Sequence, residues 1–447
     1  MRFCISFGNF HKYFFILFIS IIFQIVNEAI YGFNYFEHIF DDVKIFHNEG
    51  HEYFSKHILI HLIFSYIGLF IFTVPFVIYE YISSKYAKEE ITLDTFRNRR
   101  RRRRKNIKNY TWILLTAFLW VVEEILFIFY TSILGGLEFW LLELLIVFYL
   151  SSKMFHTNIY NHQKCSMLVN LFPLLTKYIL VILSVKLEKK TSNLIYIRHL
   201  WVVPIGILIY SIIAFIRSFA NIKLKTIMDF NFTSHNIILM IYGALGAIIT
   251  SILCIFTSNF NCNLGEIENY ICNVSENNNT IKYIDSFSIY HNTFQGYSND
   301  DSSQIKFEIM VIIFGGITFF INRYSSLLVI RALNPVIYAF SFPILFLFRK
   351  ITLIINTLII SKSIYIRDVT GISKLKFSFD IIGDILSFIS FLVYTEIVEI
   401  NIFGLNYNIA KNIISRTIEE IDRPPIVPDI YEDDPYPFLN IEEDILY

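Results

Sequence analysis

A few ionisable residues sit inside stretches that are otherwise apolar. Glu123 and Glu124 occur in LWVVEEILF, Glu143 in LLELLIV and Lys177 in LLTKYILV. A charge at the centre of a hydrocarbon layer costs about 2.5–3.5 kcal/mol on insertion scales, so such a group faces a cavity or a partner. Two chemistries suit these types. One is a substrate pathway or proton-coupling pair, with Lys177 neutralising Glu123 or Glu143. The other is a buried structural ion pair, or a carboxyl kept neutral by a proton. Consecutive glutamates point about 100° apart on a helix, so only one of Glu123 and Glu124 can face a given axis squarely.

Glu28, Arg217, Arg331, Asp380, Asp384 and Glu396 fall nearer the ends of apolar runs. There a long side chain is expected to reach back to the interface. Arg331 stands apart because it lies one turn before Asn334-Pro335. Proline frees a carbonyl and can break the helix, and unwound backbone at membrane depth lines cavities. The candidate pathway residues are therefore Glu123, Glu143, Lys177, Arg331 and Asn334. His57 and His61 share a helix face, but no further ligand is spaced to complete a metal site. No phosphate-binding loop, zincin or nucleophile-elbow motif occurs. No catalytic residue, metal or cofactor is expected.

These residues are carried by elements of one kind. The 447-residue chain is 55% hydrophobic and only 17% charged, with mean hydropathy +0.52. Its apolar runs approach the roughly 20 residues that cross about 30 Å of hydrocarbon, and they do not alternate as barrel strands would. The expected fold is an all-α membrane protein of about ten transmembrane helices. The spans fall at 13–31, 57–82, 111–133, 137–153, 165–186, 200–218, 236–257, 307–322, 325–348 and 378–400. Gly135 and Gly136 mark a minimal link between spans three and four, and NRYSS marks another between eight and nine. YGALGA, with Gly243, Gly246 and Ala247, reads as a close helix contact.

Charge orients the spans. Residues 85–108 hold eleven Lys/Arg, including Arg99 to Arg104, against three acids. A short loop of that kind, 83–110, stays cytoplasmic and touches anionic headgroups. Pinned between two spans, it is not expected to bind nucleic acid. Residues 258–305 hold six acids against Lys282, the sequons at Asn273 and Asn278, and the disulfide candidates Cys262 and Cys272. This loop is placed on the lumenal or extracellular side. Residues 349–377 run against the rule, with six Lys/Arg and one acid on the same side. The tail, 401–447, has ten acids against three bases and several prolines, and is expected to be cytoplasmic and partly disordered. Both termini are then cytoplasmic, in the plasma membrane or the endomembrane system.

Ten spans divide into halves of five, 1–187 and 198–400. An odd number per half inverts one half relative to the other. The segments NRYSSLLVIRALNPVIYAFSFPI (322–344), FDIIGDILSFISFLVYTEIVEI (379–400) and IYNHQKCSM (159–167) resemble the drug/metabolite transporter superfamily, which includes EamA-like and nucleotide-sugar-transporter-like proteins. The Leu333-Asn334-Pro335-Val336 element resembles the passage from the eighth to the ninth span there. The long 258–305 and 349–377 loops and the membrane acids depart from that pattern. The resemblance implies a secondary transporter of a small organic metabolite working by alternating access. Its expected partners are a small-molecule solute, the bilayer and a second copy in a homodimer. The rival readings are a non-transporting receptor or scaffold and a membrane-embedded lipid-modifying enzyme.

Overall fold

The computed structural model describes residues 3–5, 15, 17–22, 58–88, 97–134, 140–155, 159–187, 201–230, 233–258, 273–275, 278–283, 287, 290–291, 302–348, 350–351 and 371–400. Helices dominate. In chain order they are α1 (Ile58–Lys88), α2 (Arg97–Leu134), α3 (Trp140–Met154), α4 (Asn161–Leu187), α5 (Val202–Phe230) and α6 (His235–Thr257), followed by α7 (Ser302–Ala332), α8 (Pro335–Phe348) and α9 (Gly371–Tyr394). Two small antiparallel strand pairs accompany them. β1 (Phe3–Ile5) pairs with β4 (Val398–Ile400), and β2 (Asn273–Ser275) pairs with β3 (Asn278–Tyr283).

Among the described residues, six helices are long and apolar enough to cross a bilayer: α1, α2, α4, α5, α6 and α7. Their outward faces are as apolar as their inward ones. On α6 the stripe Ile248, Ile252, Ile255 is exposed, as are Leu168, Leu175 and Ile179 on α4. Water would leave such stripes as sticky patches, whereas lipid is their natural solvent. The chain is an integral membrane protein.

Close packing follows the small residues. A Cβ on Gly68 of α1 would lie 2.7 Å from the Cα of Gly316 on α7, and one on Gly243 of α6 would lie 2.8 Å from the backbone nitrogen of Phe70. A Cβ on Gly246 would enter the Tyr66 ring. YGALGA is thus a packing face, as expected from its composition. The contacts also set directions. Tyr66 meets Tyr242 and Glu80 meets Asn236, so α1 and α6 are antiparallel. Ser166 meets Ser390 and Pro173 meets Gly383, so α4 and α9 are antiparallel too. Tyr290 stacks edge-on against His61 at 6.3 Å, at the start of α1. Tyr290 therefore lies at the opposite end of α1 from Lys88.

Three expectations need correction. The arginine tract is not a loop: α2 begins at Arg97 and runs unbroken through it to Leu134. NRYSS is not a link, because α7 continues through it to Ala332. Ser325 and Ser326 donate to the Asn322 carbonyl at 2.9 and 2.8 Å, so these polar side chains are satisfied within the helix. The break falls instead at Leu333–Asn334. Pro335 has no N–H to continue the ladder, and Asn334 caps the new helix by accepting from the Val336 N–H at 2.9 Å. The closing span runs over Gly371–Tyr394 rather than 378–400, and residues 398–400 form β4. The helix ends in a turn at Thr395–Ile397, with Glu396 left-handed at φ 58°. Of the first expected span, residues 15 and 17–22 are helical and the remainder lies outside the described residues, as do Cys262, Cys272, the tail and most of 349–370. Asn273 and Asn278 lie in β2 and β3.

Candidate functional site: a buried cluster of arginines, glutamates and aromatic rings

Helix α2 is the hub. Glu123 and Glu124 do point in different directions, and each takes an arginine from a different helix. On one side Arg217 of α5 donates from Nε to Glu123 Oε1 at 2.6 Å and from Nη1 to Glu143 Oε2 of α3 at 2.8 Å. Its Nη2 also contacts Glu123. The guanidinium is sandwiched between aromatic rings, 4.6 Å from the Phe127 centroid and 5.2 Å from that of Phe342. Planar, delocalised and weakly hydrated, arginine suits such a buried fork better than lysine.

On the other side Arg323 of α7 pairs with Glu124 Oε1. Glu124 Oε2 accepts from Tyr66 at 3.2 Å and also from Tyr242. Arg323 lies over the rings of Phe319, Trp120 and Tyr242 at 5.2–5.8 Å. Trp120 donates from Nε1 to Asn221 Oδ1 at 3.1 Å, tying α2 to α5. Gly246 admits the Tyr66 ring, which fixes that hydroxyl against Glu124.

The break at Asn334-Pro335 joins the two sides. It lets α8 start from a buried residue, Asn334, 3% exposed, just past the exposed end of α7. Tyr338, one turn on, lies near Ser326 and within electrostatic reach of Arg323, Arg217 and Glu143. Phe342, one further turn on, stacks on Arg217. Two guanidiniums, three carboxylates and three phenols from seven helices thus converge among aromatic rings. Glu123, Glu124 and Glu143 are each at most 8% exposed.

Of the expected pathway residues, Glu123 and Glu143 meet directly through Arg217, and Asn334 caps the helix that covers them. Lys177 does not neutralise them. It lies within electrostatic reach of Asp384 on α9, which is paired with Lys350 at 2.5 Å. Arg331 is exposed. Its Nη1 is 3.1 Å from His235 Nδ1, and its carbonyl accepts from Lys225 Nζ at 2.5 Å. Two central residues escaped the sequence reading. A sixth span that closes at 218 puts Arg217 at an interfacial end, whereas α5 continues to Phe230 and puts Arg217 in mid-helix. Arg323 was assigned to a link. The missing signal was charge balance: three acids in adjoining spans call for more than Lys177.

A second polar region joins α4 to α9. His162 Nε2 is 3.3 Å from Glu396 Oε1. The Ser166 and Ser390 hydroxyls are 2.6 Å apart, and Asn170 Nδ2 donates to Ser390 Oγ at 2.6 Å. Further along, Pro173 packs on Gly383, and Lys350 and Lys177 gather around Asp384. No cluster of His, Cys, Asp and Glu suited to a metal occurs among the described residues.

What the fold and the cluster define is a multi-span helical membrane protein with an ionic centre. Compared with the known protein families and with curated proteins, the chain matches none.

Proposed function

We propose that the chain is a secondary carrier of a small organic solute, working by alternating access about the Arg217–Arg323 cluster. One observation carries the reading. A helix broken at Asn334-Pro335 inserts Tyr338 and Phe342 against two guanidiniums that α2 holds through adjacent glutamates. Discontinuous helices beside paired charges are the means by which carriers hold polar solutes at the midplane. Glu123, Glu143 and Asn334 belong to this centre. Arg331, with His235 and Lys225, stands at one end as a gate residue, and Lys177 acts on the α4–α9 contact.

The packing supports ten spans in two inverted halves, with residues 15–22 contributing the first. Helices five positions apart pack on each other across the molecule: α1 with α6, and α4 with α9. Both pairs are antiparallel, as an axis in the membrane plane requires. The relation extends further. α1 packs on α7 and α6 on α2, while α3 packs on α5 and α8 on the 15–22 segment, where Phe18 lies 6.2 Å from Phe348. The fourth and ninth spans are both short, at Trp140–Met154 and Pro335–Phe348. This plan is that of the drug/metabolite transporters which the sequence resembles. β1–β4 pairing holds the two ends of the spanning region on one side, with the arginine tract. We assign that side to the cytoplasm and the Asn273 and Asn278 sequons to the lumenal or extracellular side.

Uptake of labelled metabolites into proteoliposomes tests the proposal. Saturable uptake by the native chain, lost in Arg323→Gln and in Pro335→Ala, is expected. A flat response across sugars, nucleotides, amino acids and organic acids with folded protein would refute it.

A further inference from the structure

The two halves of the cluster differ in charge. Arg323 meets one carboxylate, Glu124, and that side is balanced. Arg217 meets two, Glu123 and Glu143, and that side is left with one negative charge in excess. We infer that the Arg217–Glu123–Glu143 triad binds one proton, shared between the two carboxylates, and that this is the coupling ion of the carrier. The inference rests on the carrier reading for its role in transport, but not for the proton itself.

The argument is one of charge and solvent. All three side chains are at most 10% exposed. An unpaired ion in such surroundings carries a penalty of several kcal/mol. Other titratable groups among the described residues face the triad from the helices packed against it. Tyr210 shares α5 with Arg217, Tyr338 comes from α8, Glu124 from α2 and Arg323 from α7. The phenols are neutral, and Arg323 and Glu124 cancel each other. Glu143 lies in the first turn of α3, where unpaired N–H groups favour a carboxylate. That end is equivalent to only about half a charge, so it does not remove the excess. Taking one proton from bulk water forms one O–H bond on a carboxylate oxygen and makes the triad neutral. Releasing it restores the excess charge and strengthens the hold of Arg217 on both acids. A proton on Glu143 therefore loosens α3 from α5, and one on Glu123 loosens α2 from α5.

Infrared difference spectroscopy of the purified full chain in lipid vesicles, titrated with acid, reads the proton directly as the carbonyl stretch of a protonated carboxyl. The native chain should show such a band from the triad, separate from any band of Asp384, which is also buried. Glu123→Gln and Glu143→Gln should each abolish it, because either substitution leaves one carboxylate facing one guanidinium. Asp384→Asn, remote on α9, should leave it intact. Absence of the band in the native chain at every pH, or its survival in both glutamine variants, would overturn the inference. So would its loss on adding sodium at fixed pH, which would identify a metal cation instead. The carrier reading fails separately: a proton band without uptake of any solute sinks transport and leaves the proton site, whereas uptake without the band does the reverse.

Discussion

The Arg217–Arg323 centre and the α4–α9 seam are both polar, both buried and both built across helices that belong to different halves of the chain. Their chemistry differs. The centre pairs full charges with one another and surrounds them with Phe127, Phe319, Phe342 and Trp120. The middle of the seam pairs small neutral groups, Ser166, Asn170 and Ser390, and confines charge to its two ends at His162–Glu396 and Lys350–Asp384. Neutral hydroxyls across membrane helices contribute about 0.6 kcal/mol each, whereas breaking a buried ion pair costs about 3–5 kcal/mol. A seam of small hydroxyls can separate and close again at modest cost. A charged centre cannot lose one member without a replacement, which suits a site where a solute or proton substitutes for a protein group.

The largest expected effect lies in the centre. Arg217→Met removes the cation and leaves Glu123 and Glu143 buried together. A loss of about 3–5 kcal/mol is expected, read as a lower midpoint of thermal unfolding in detergent. Adding Glu123→Gln and Glu143→Gln to Arg217→Met should recover most of that loss, because the uncompensated charges are then gone. If Arg217→Met unfolds like the native chain, the centre is not held by charge and the contrast with the seam collapses.

Next comes the pinch in the seam. A Cβ on Gly383 would lie 2.8 Å from Pro173 Cβ. Both groups belong to packed helices, so Gly383→Ala forces α4 and α9 apart, at a cost of about 1–3 kcal/mol. The change should alter cysteine cross-linking between the two helices while leaving the infrared proton band of the centre in place. Loss of that band would mean the two regions move as one body.

The helix break links the comparison to the proposed transport. Asn334→Ala removes the cap on α8, with a loss of about 0.5–2 kcal/mol expected, and Asn334→Ser should retain most of it. The unfolding midpoints of the two variants check the order. Equal losses would show that Pro335 alone sets the break and that the cap is idle.

Much of the architecture was legible because apolar run length is a strong signal: α4, α5 and α6 begin within a few residues of their expected positions. The errors share one cause. Polar residues inside long helices read as loops, as at NRYSS and after residue 218. In the structure many of those residues bond within their own helix, as Ser325 and Ser326 do. Lys225 pairs with Asp229 at 3.0 Å, and Thr226 donates to the Ile222 carbonyl at 2.9 Å. Composition alone does not distinguish a polar helical turn from a loop. Both central arginines were lost that way, while Glu123, Glu143 and Asn334 were found because their surroundings are unambiguously apolar. The α4–α9 seam left no trace in a linear reading, since serine and asparagine are ordinary residues until a partner helix of opposite direction faces them.

The smallest effect is the sharpest discriminator. Ser390→Ala removes the hydroxyl that Ser166 and Asn170 share. In water-soluble proteins, leaving buried polar groups unpaired costs about 1–3 kcal/mol. Here Ser166 Oγ retains the Ser390 carbonyl at 2.7 Å and Asn170 Nδ2 retains the Ser166 carbonyl at 2.9 Å, so neither loses its last partner. The expected change is therefore about 0.6 kcal/mol, a small shift of the unfolding midpoint. If the seam opens as the proposed alternating access requires, the weakened contact should raise the rate at which a cysteine placed at Ser387, which is fully buried, reacts with a water-soluble thiol reagent. A loss of stability several times larger, with no change in labelling, would make the seam a fixed structural joint and leave the centre as the sole moving part.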